Sequence, residues 1–507
     1  MSEIFTSFPT LKGLTFIEGV FAVMNWVDGN VLWGVPMILL IIGCGVLLTV
    51  KTRCLQVKDF GYALKMTMGN SIRQMRKIPV KDIDGKTLVT EDNAEKHKNA
   101  ISPFEAFSTA VSGTVGTGNI VGVTTAILRG GPGAVFWMWI SAFFGMVTKY
   151  AEITLGMFFR KKDESGEFIG GPMFYIEKGL KKKWLAVVFA VFTMLAAIGM
   201  SSVQADTIQT TWQTTFRLPV WVTAIIVAAF TALVILGGVK RIGKVASCIV
   251  PFMAIFFIIL AVILIICNIT AIPAAFASIF ASAFTKKSML GGFMGFGIMK
   301  AMRYGFARGV FSNEAGLGSS PIAHAASTEK EPVKQGLWGV FEVFLDTFVI
   351  CTLTALLVLT ANLGGTKGAD VALQSFMSVG RIFSKICEYS FSIILPLFAF
   401  STILAWAVYG GKACQYVFGK KSVLPFNIVF TLTIIAMALL TFFAGGNLGS
   451  DFIWLIADMT NALMAIPNLI ALISLSGLLI KITKNYVARR HGSDIAPMLS
   501  AYDIDEK

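Results

Sequence analysis

The stretch SGTVGTGNIVGV, Ser112 to Val123, lies inside a hydrophobic run from Phe104 to Leu128 that is long enough to cross a lipid bilayer. It contains four glycines together with Ser, Thr and Asn side chains. Each glycine destabilises a helix interior by roughly 1 kcal/mol relative to alanine, and a broken backbone in lipid leaves N–H and C=O groups unpaired. The stretch therefore predicts a membrane helix that is interrupted for a functional reason.

The composition of the whole chain is that of an integral membrane protein. Its 507 residues are 55% hydrophobic and only 14% charged, a balance that would not keep a soluble protein in solution. The net charge of +14 would suggest nucleic acid as a partner in a soluble chain. Here the basic residues gather between apolar runs, so we expect lipid headgroups and no nucleic acid. The seven scattered cysteines argue against a disulfide framework and a zinc site.

Apolar stretches of suitable length predict an all-α protein with about eleven transmembrane helices. Lys and Arg are concentrated in alternate loops, which predicts an N-terminus outside and a C-terminus in the cytoplasm. No small-residue cleavage site follows the first span, so we expect that span to be retained. A juxtamembrane amphipathic helix is expected around residues 60–77. The predicted spans are residues 32–50, 103–127, 133–159, 184–203, 219–237, 245–268, 290–318, 337–361, 389–409, 424–444 and 452–478.

A second span, within Gly291 to Ser320, has the same defect as the first. It combines several glycines with Arg308, Asn313 and Glu314 in an otherwise apolar setting. A charged side chain at the bilayer centre costs about 2.5 to 3.5 kcal/mol, so these side chains are expected to face water, partners or a ligand.

The spacing of the two defects predicts an inverted repeat. Each interrupted span begins a unit of five spans, and two units of odd length enter the membrane from opposite sides. Unwound backbone is tolerated if its N–H groups bind an anionic substrate group and its carbonyls bind a cation. The predicted organisation is an N-terminal segment with a peripheral helix (residues 1–50), a basic cytoplasmic loop (51–100), two five-helix repeats (101–270 and 271–480) and a cytoplasmic tail (481–507).

Four stretches resemble the alanine or glycine:cation symporter family. The resemblance implies the leucine-transporter fold, with one peripheral helix before a five-plus-five core, in the plasma membrane of a bacterium or archaeon. It also implies that sodium is the coupling ion, that no organic cofactor is needed, and that a small amino acid is carried inward. The stretches are SGTVGTGNIVGV, GGPMFYIEKG (Gly170 to Gly179), GGVKRIGKVAS (Gly237 to Ser247) and ARGVFSNEAGLGSSPIAHAAS (Ala307 to Ser327).

The candidates at the first interruption are Gly116, Thr117, Gly118 and Asn119. Their amides would take the substrate carboxylate and their carbonyls the cation. The alternative is close helix packing through small residues, as in the pair Gly118 and Gly122.

At the second interruption the resemblance implies a pocket wall that meets the ammonium group and side chain of the substrate. Phe311 has plain core packing as its alternative. Glu314 is expected either to act directly or to be structural, paired with Arg308 or capping a half-helix. The candidates for the wall are Gly309, Phe311, Ser312 and Asn313.

The resemblance also implies a sodium site in which a hydroxyl pair, Ser401 and Thr402, joins carbonyls of Val115 and Gly116, because a hard cation prefers oxygen ligands. The alternative for each hydroxyl is a bond to the carbonyl one turn earlier. Trp406, one turn beyond, would narrow the pocket or belong to an interfacial aromatic belt.

Three further polar positions have two interpretations each. Gln204 either reaches the substrate or is an amide at the end of a span. Asp346 and Thr347 would supply another cation ligand or a proton site. Glu342 precedes Asp346 by four residues, so the alternative is a mutually solvated polar stripe on one helix face.

Two motifs are rejected. The segment from Gly238 to Val245 has phosphate-loop spacing but carries valine where Ser or Thr must reach magnesium, and no strand precedes it. Ser320 and His324 are one helical turn apart, yet Pro321 lies between them and no GxSxG elbow is present, which argues against a serine hydrolase. We therefore expect a carrier without an enzymatic step. A channel, in which the glycines would line a continuous pore, is the alternative from another class.

Overall fold

The computed structural model describes residues 16–76, 80–81, 87–88, 100–164, 166–284, 294–361, 374, 384–443 and 447–504. Two short antiparallel strand pairs lie among them: Val80–Lys81 with Thr87–Leu88, and Lys161–Lys162 with Phe168–Ile169. The helices are α1 (Phe16–Val27), α2 (Val35–Lys51), α3 (Leu55–Lys58), α4 (Phe60–Leu64), α5 (Asn70–Met75), α6 (Pro103–Thr114), α7 (Val121–Gly130), α8 (Gly133–Phe158), α9 (Pro172–Gly179), α10 (Lys183–Phe216), α11 (Val220–Ile235), α12 (Gly238–Cys267), α13 (Ile272–Phe284), α14 (Met294–Asn313), α15 (Ser320–His324), α16 (Pro332–Val343), α17 (Thr352–Thr360), α18 (Ser384–Phe418), α19 (Val423–Phe443), α20 (Asn447–Arg490) and α21 (Ala501–Ile504).

The all-α membrane architecture is confirmed. Within the described residues, eight helices are long and apolar enough to cross a membrane, and the bent pair α6 and α7 makes a ninth. Each predicted span overlaps a described helix or helix pair. The helix α11 has only 16 residues, and α14 carries three basic side chains, so neither meets that length and polarity. The segment from residue 60 to 75 is helical, as predicted, with a π-helical turn at Lys65–Gly69.

Several predicted boundaries were wrong, including the end of the last span, because α20 continues to Arg490 rather than ending at residue 478. The first membrane helix starts well before residue 32, because α1 and the π-helical turn Asp28–Leu32 extend it to Glu18–Lys51. The fourth span does not end at residue 203, because α10 continues to Phe216. The hydroxyl groups of its polar C-terminal half find acceptors within the helix, since those of Thr207 and Thr211 donate to the carbonyl one turn earlier, at 2.9 and 2.7 Å.

The centre of the bundle is built around α8 and α10. The helices α14 and α16 pack on α8, while α18 and α20 pack along α10. The two interrupted helices meet there, since a Cβ atom added to Gly118 would lie 3.2 Å from the Phe311 ring. The fold thus places both interruptions side by side in the bundle interior.

The C-terminal tail folds back on one end of the bundle. The fully buried guanidinium of Arg160 donates to both carboxylate oxygens of Asp503, at 2.8 and 3.1 Å, and to the carbonyl of Ser327 at 2.7 Å. This contact ties the tail to the segment that follows α15.

Candidate functional site

The first interruption separates α6 from α7. A capping box formed by Ser102 and Glu105 starts α6, and the helix ends at Thr114, where Val115 leaves helical geometry with φ −82° and ψ 88°. A short 3-10 turn, Thr117–Asn119, follows, and the two halves are bent by 54°. All residues of the break are buried, so its free backbone groups are available only to protein or ligand.

Side chains occupy two of the backbone amides in this break. The N–H of Gly116 donates to Asn119 Oδ1 at 2.8 Å, and the N–H of Thr117 donates to Gln204 Oε1 at 3.2 Å. Gln204 lies within the long helix α10, so its interpretation as a span-end amide was wrong. The hydroxyl of Thr117 is buried and has no hydrogen-bond partner in the described part of the chain, whereas most buried hydroxyl groups in proteins have one.

A buried carboxylate, that of Asp346, joins the two interrupted helices. It accepts from Asn119 Nδ2 at 2.6 Å, from Ser312 Oγ at 3.0 and 3.1 Å, and from Thr347 Oγ1 at 2.7 Å. Asn313 Nδ2 donates to Thr347 Oγ1 at 3.1 Å, so both candidate residues at the end of α14 belong to this cluster. Asp346 lies in the π-helical stretch Phe344–Cys351 between α16 and α17, and no cationic side chain among the described residues is within 4.0 Å of it.

Both hydroxyls of the pair on α18 contact the Phe398 carbonyl one turn earlier, as the alternative interpretation predicted, and Thr402 also contacts the first interrupted helix. Thr402 Oγ1 reaches the carbonyl of Ser112 in the last turn of α6 at 2.9 Å, and also the carbonyl of Phe398 at 3.0 Å. Ser401 Oγ donates to the Phe398 carbonyl at 2.9 Å and lies 3.5 Å from the sulfur of Met253. The structure therefore brings Thr402, rather than Ser401, against the first interruption.

The second interruption lies one turn later than the sequence suggested. The helix α14 runs unbroken through Gly309 to Asn313, and Gly309 packs against Met138 and Ser141 of α8. The chain leaves helical geometry only at Glu314, where φ is 54°, and it has positive φ again at Gly316 and Gly318. Phe311, Ser312 and Asn313 therefore sit on the last helical turn, next to the break rather than within it.

A buried carboxylate that was not predicted from the sequence accepts hydrogen bonds from the backbone amides of the second break. Glu152 Oε1, on α8, accepts from the N–H groups of Gly316 and Gly318 at 2.9 and 3.1 Å and from Asn468 Nδ2 at 2.6 Å. Asn468, on α20, also donates to the carbonyl of Gly316 at 2.8 Å. The available signal was an acidic residue inside an apolar span, although the sequence does not reveal its partners.

The predicted pairing of Glu314 with Arg308 was wrong. Arg308 does not pair with Glu314; it makes two hydrogen bonds to Asp458 of α20, at 3.0 and 2.5 Å, while Glu314 accepts from Ser319 at 2.5 Å. The difference arises because Glu314 is already in the left-handed turn, away from the α14 face that carries Arg308.

The alternative prediction, that Glu342 and Asp346 form a solvated polar stripe, was also wrong. Both carboxylates are fully buried, and the π-helical turn that starts at Phe344 directs them to different partners. Glu342 lies 3.3 Å from Lys149 Nζ, accepts from Ser320 Oγ at 2.8 Å and lies 3.4 Å from His324 Nε2. Ser320 and His324 are thus bonded to a shared carboxylate, which does not make a hydrolytic pair.

Trp406 is completely buried, so its interpretation as an interfacial belt residue was wrong. Its ring packs edge-on against Tyr409 at 5.4 Å between centroids. The indole N–H and the Tyr409 hydroxyl have no hydrogen-bond partner among the described residues. A Cβ atom at Gly113 of α6 would approach that hydroxyl closely, which places the pair of rings beside the first interrupted helix.

Comparison with known proteins identifies the family. A profile described as the sodium:alanine symporter family matches residues 18–498. The sodium/alanine symporter AgcS of Methanococcus maripaludis is 39% identical over 476 residues, 92% of this chain and 97% of that protein. A probable sodium/glutamine symporter, GlnT of Bacillus subtilis, is 34% identical over 465 residues, 92% of this chain and 90% of that protein.

A solved structure confirms the fold. The transporter MhsT in complex with L-phenylalanine superposes with a TM-score of 0.52 at 15% identity, covering 76% of this chain and 99% of that one. This is the leucine-transporter fold that the sequence predicted. Proteins with this fold are multi-pass membrane transporters that carry out no enzymatic step. From the profile and these relatives together, the chain belongs to the sodium:alanine symporter family of amino acid symporters.

Proposed function

We propose that the chain imports a small neutral amino acid, alanine first and glycine second, together with sodium by alternating access. The observation that carries the proposal is the Asp346 cluster, because one buried carboxylate is bonded to Asn119 of the first interruption and to Ser312 beside the second. A cation bound at this carboxylate would change the conformational equilibrium of both interrupted helices. That is what coupling between an ion and a substrate requires.

The substrate is assigned to the space beside the first interruption. Its carboxylate would bind the backbone N–H groups of Gly116, Thr117 and Gly118 and the hydroxyl of Thr117, with the side-chain amides of Asn119 and Gln204 turning from the backbone to the ligand. Its ammonium group and side chain would face the end of α14, where Phe311, Ser312 and Asn313 lie. Gly309 packs on α8 and would act through helix packing.

Sodium is assigned to two sets of oxygen ligands. One is the hydroxyl of Thr402 with the carbonyls around Val115 and Gly116, to which Ser401 would contribute only after a rotamer change. The other is the carboxylate of Asp346 with hydroxyl and amide oxygens around it, which fits the preference of a hard cation for oxygen. The number of ions carried per cycle then depends on whether both sets are filled.

The preference for a small side chain rests on two rings. Phe311 is stacked on Trp454 at 5.5 Å between centroids, and Trp406 is held by Tyr409, so neither ring can move aside without disturbing a neighbour. Glutamine is the alternative substrate, because the relative GlnT, 34% identical to this chain, is described as a probable sodium/glutamine symporter. A proton in place of sodium is the alternative at Asp346.

We assign the protein to the plasma membrane of a bacterium or archaeon, with the N-terminus outside and the C-terminus in the cytoplasm. This orientation rests on the distribution of Lys and Arg among the loops. The two units, residues 101–270 and 271–480, would then move against each other around the central site.

The test is uptake of labelled alanine, glycine and glutamine into proteoliposomes under a sodium gradient, a proton gradient or neither. One sodium ion moving down a tenfold gradient and about 100 mV supplies roughly 1.4 plus 2.3 kcal/mol, enough to concentrate a substrate a few hundred-fold. We expect sodium-driven accumulation of alanine and accelerated exchange of preloaded alanine. Equal uptake of all solutes without exchange would identify a channel, and accumulation driven only by protons would exclude sodium coupling.

A further inference from the structure

The two interrupted helices are bonded to each other at the ends that the proposed orientation places on the cytoplasmic side. Ile101, just before α6, donates its N–H to the carbonyl of Ala326 at 3.1 Å and accepts from the N–H of Thr328 at 2.8 Å. Ala106 of α6 packs with Ile101 and Ala326 in a small apolar cluster, and all three are buried. The cytoplasmic end of α6 therefore separates from the segment after α15 only if these contacts break.

A buried cation crosses the same junction. Arg160 follows α8 in the first proposed unit, and its guanidinium donates to the carbonyls of Ser327 and Glu329 in the second, at 2.7 and 2.8 Å. Its side chain is 0% exposed, and its guanidinium carbon lies 4.0 Å from the centre of the Phe168 ring. Carbonyl groups carry no net charge, so a guanidinium buried among them also needs a carboxylate partner.

The C-terminal tail, residues 491–504, supplies that carboxylate. Asp503 accepts from Nη2 and Nε of Arg160, at 2.8 and 3.1 Å. Asn485 of α20 holds the earlier part of the tail, because its side-chain amide donates to the carbonyl of Ala496 at 2.9 Å. The tail thus crosses from the end of α20 to the junction between the two interrupted helices.

The docked end of the tail lies outside the part of the chain that the family profile matches, since that match ends at residue 498. Ser500 and Asp503 are nevertheless only 0% and 4% exposed. The hydroxyl of Ser500 also donates to the Asp503 carboxylate at 2.5 Å. This position favours a role in regulation over a part in the transport site.

We propose that the C-terminal tail is an autoinhibitory latch, whose docking on Arg160 holds the cytoplasmic ends of α6 and α15 together. The proposal rests on the alternating access proposed above. A buried guanidinium that loses its carboxylate is strongly disfavoured, whereas water solvates it once the junction opens. Release of Asp503 therefore destabilises the closed junction relative to the conformation that is open to the cytoplasm.

The experiment measures how readily the junction opens. Ala106→Cys places a thiol inside the buried cluster, and its alkylation by a charged, membrane-impermeant maleimide is followed in the detergent-purified protein. Peptide mass spectrometry separates this thiol from the seven native cysteines. Asp503→Asn keeps the size of the side chain and removes its charge. We expect it to raise the alkylation rate by at least about tenfold, equivalent to about 1.4 kcal/mol.

Matched controls separate release of the latch from a general loss of structure. Asp494→Asn makes the same change at an exposed carboxylate of the same tail and should leave the alkylation rate unchanged. Ala224→Cys moves the thiol to α11, at another fully buried alanine near the opposite end of the bundle. Alkylation there should not respond to Asp503→Asn. Asp503→Glu, which keeps the charge, should give a smaller increase at the Ala106→Cys thiol than Asp503→Asn.

Three results would overturn the latch. They are an unchanged rate at the Ala106→Cys thiol in folded Asp503→Asn, an equal increase in Asp494→Asn, and an equal increase at the Ala224→Cys thiol. If Asp503→Asn does not fold, Ser500→Ala decides. It removes one hydrogen bond from the docked carboxylate and should raise the rate by about two- to tenfold, so an unchanged rate would again contradict the latch.

Sodium-driven alanine uptake by the parent is measured in parallel. Unchanged alkylation in the variants of a parent that accumulates alanine would contradict the latch alone. A parent that does not accumulate alanine would contradict the proposed function, whatever the alkylation rates. The two failures are therefore distinguishable.

Discussion

The two interruptions look alike in sequence, but the structure completes them differently. Uncharged side chains line the first: Asn119 and Gln204 take its amides, and the Thr117 hydroxyl remains free among the described residues. A full carboxylate, that of Glu152, takes the amides of Gly316 and Gly318 in the second. An amide side chain can yield to a substrate carboxylate at low cost, whereas displacing a buried carboxylate would leave a charge without partners.

The two breaks therefore have different roles in the proposed mechanism. In the proposed function the first break binds the anionic group of the substrate, while the second already holds the Glu152 carboxylate and is bonded to α8 and α20 through Glu152 and Asn468. The expectation that free amides face a ligand stays a prediction for the first break, whereas at the second break Glu152 occupies the amides of Gly316 and Gly318. Substitutions in and around each break test this division, beginning with the largest effect.

Removal of the Glu152 carboxylate should lower the stability of the protein more than the other substitutions discussed below. In Glu152→Ala, two backbone N–H groups and the Asn468 amide lose their acceptor, and each unsatisfied buried group costs roughly 1 to 3 kcal/mol. We expect a strongly lowered thermal unfolding midpoint in detergent and little folded protein. Glu152→Gln, which keeps one acceptor oxygen, should be milder. A Glu152→Ala protein as stable as the parent would show that the second break does not depend on this carboxylate.

The carboxylate shared by both breaks should affect coupling rather than folding. Asp346→Asn keeps the shape and most hydrogen bonds but removes the charge that would face sodium. We expect the sodium concentration for half-maximal alanine uptake to rise by at least about tenfold, with a nearly unchanged unfolding midpoint. The control is Asp206→Asn, because Asp206 is also buried but is bonded to Ser450 at 2.6 Å. Parent-like sodium dependence in Asp346→Asn would remove this cluster from the ion site.

Two glycines of the stretch Ser112 to Val123 have different surroundings, so their substitution should have different effects on transport. A Cβ at Gly116 would clash with the Thr402 hydroxyl, while at Gly122 its nearest neighbour is Arg308 at 3.9 Å. Gly116→Ala should lower alanine uptake by about tenfold, equivalent to about 1.4 kcal/mol, and Gly122→Ala should transport normally. Equal uptake by the two variants would favour simple helix packing for this stretch over a binding role.

The smallest effect is expected at the ring that limits pocket size. Trp406→Phe retains an aromatic ring with less volume, so uptake of glutamine relative to alanine should rise by about two- to tenfold while sodium dependence persists. The control is Trp338→Phe, since Trp338 is also buried but packs on Phe107 at 4.4 Å. An unchanged substrate ranking would place Trp406 outside the pocket.

The sequence predicted the existence of both breaks because clustered glycines beside polar side chains weaken a helix that must otherwise cross an apolar environment. It misplaced the second because glycines serve two purposes there. Gly305 and Gly309 allow α14 to approach α8, whereas Gly316 and Gly318 adopt positive φ. Composition does not distinguish a packing glycine from a left-handed one, so the whole group appeared to form one interruption.

Polar partners were harder to predict than polar positions. Arg308 and Asp346 were recognised as unusual in a membrane span, but each has a partner far away in the chain: Asp458 for Arg308 and Asn119 for Asp346. Helical spacing placed Glu342 and Asp346 on one face, and a π-helical turn then separated them. Thr402 was identified by resemblance, and its contact with the Ser112 carbonyl is consistent with that assignment.

The central claim is that sodium binds at the first break, and Thr402 provides its most direct test. Thr402→Val keeps the shape of the side chain and removes one oxygen ligand, whereas Thr402→Ser keeps the oxygen. Sodium-dependent alanine uptake should be measured for both across a range of sodium and alanine concentrations. A lost ligand worth about 1.4 kcal/mol would raise the half-maximal sodium concentration tenfold in the Val variant, with a much smaller change in the Ser variant. Because linkage is reciprocal, apparent alanine affinity should fall at limiting sodium and recover at saturating sodium. A folded, transporting Thr402→Val protein with the sodium dependence of the parent at every alanine concentration would contradict the account.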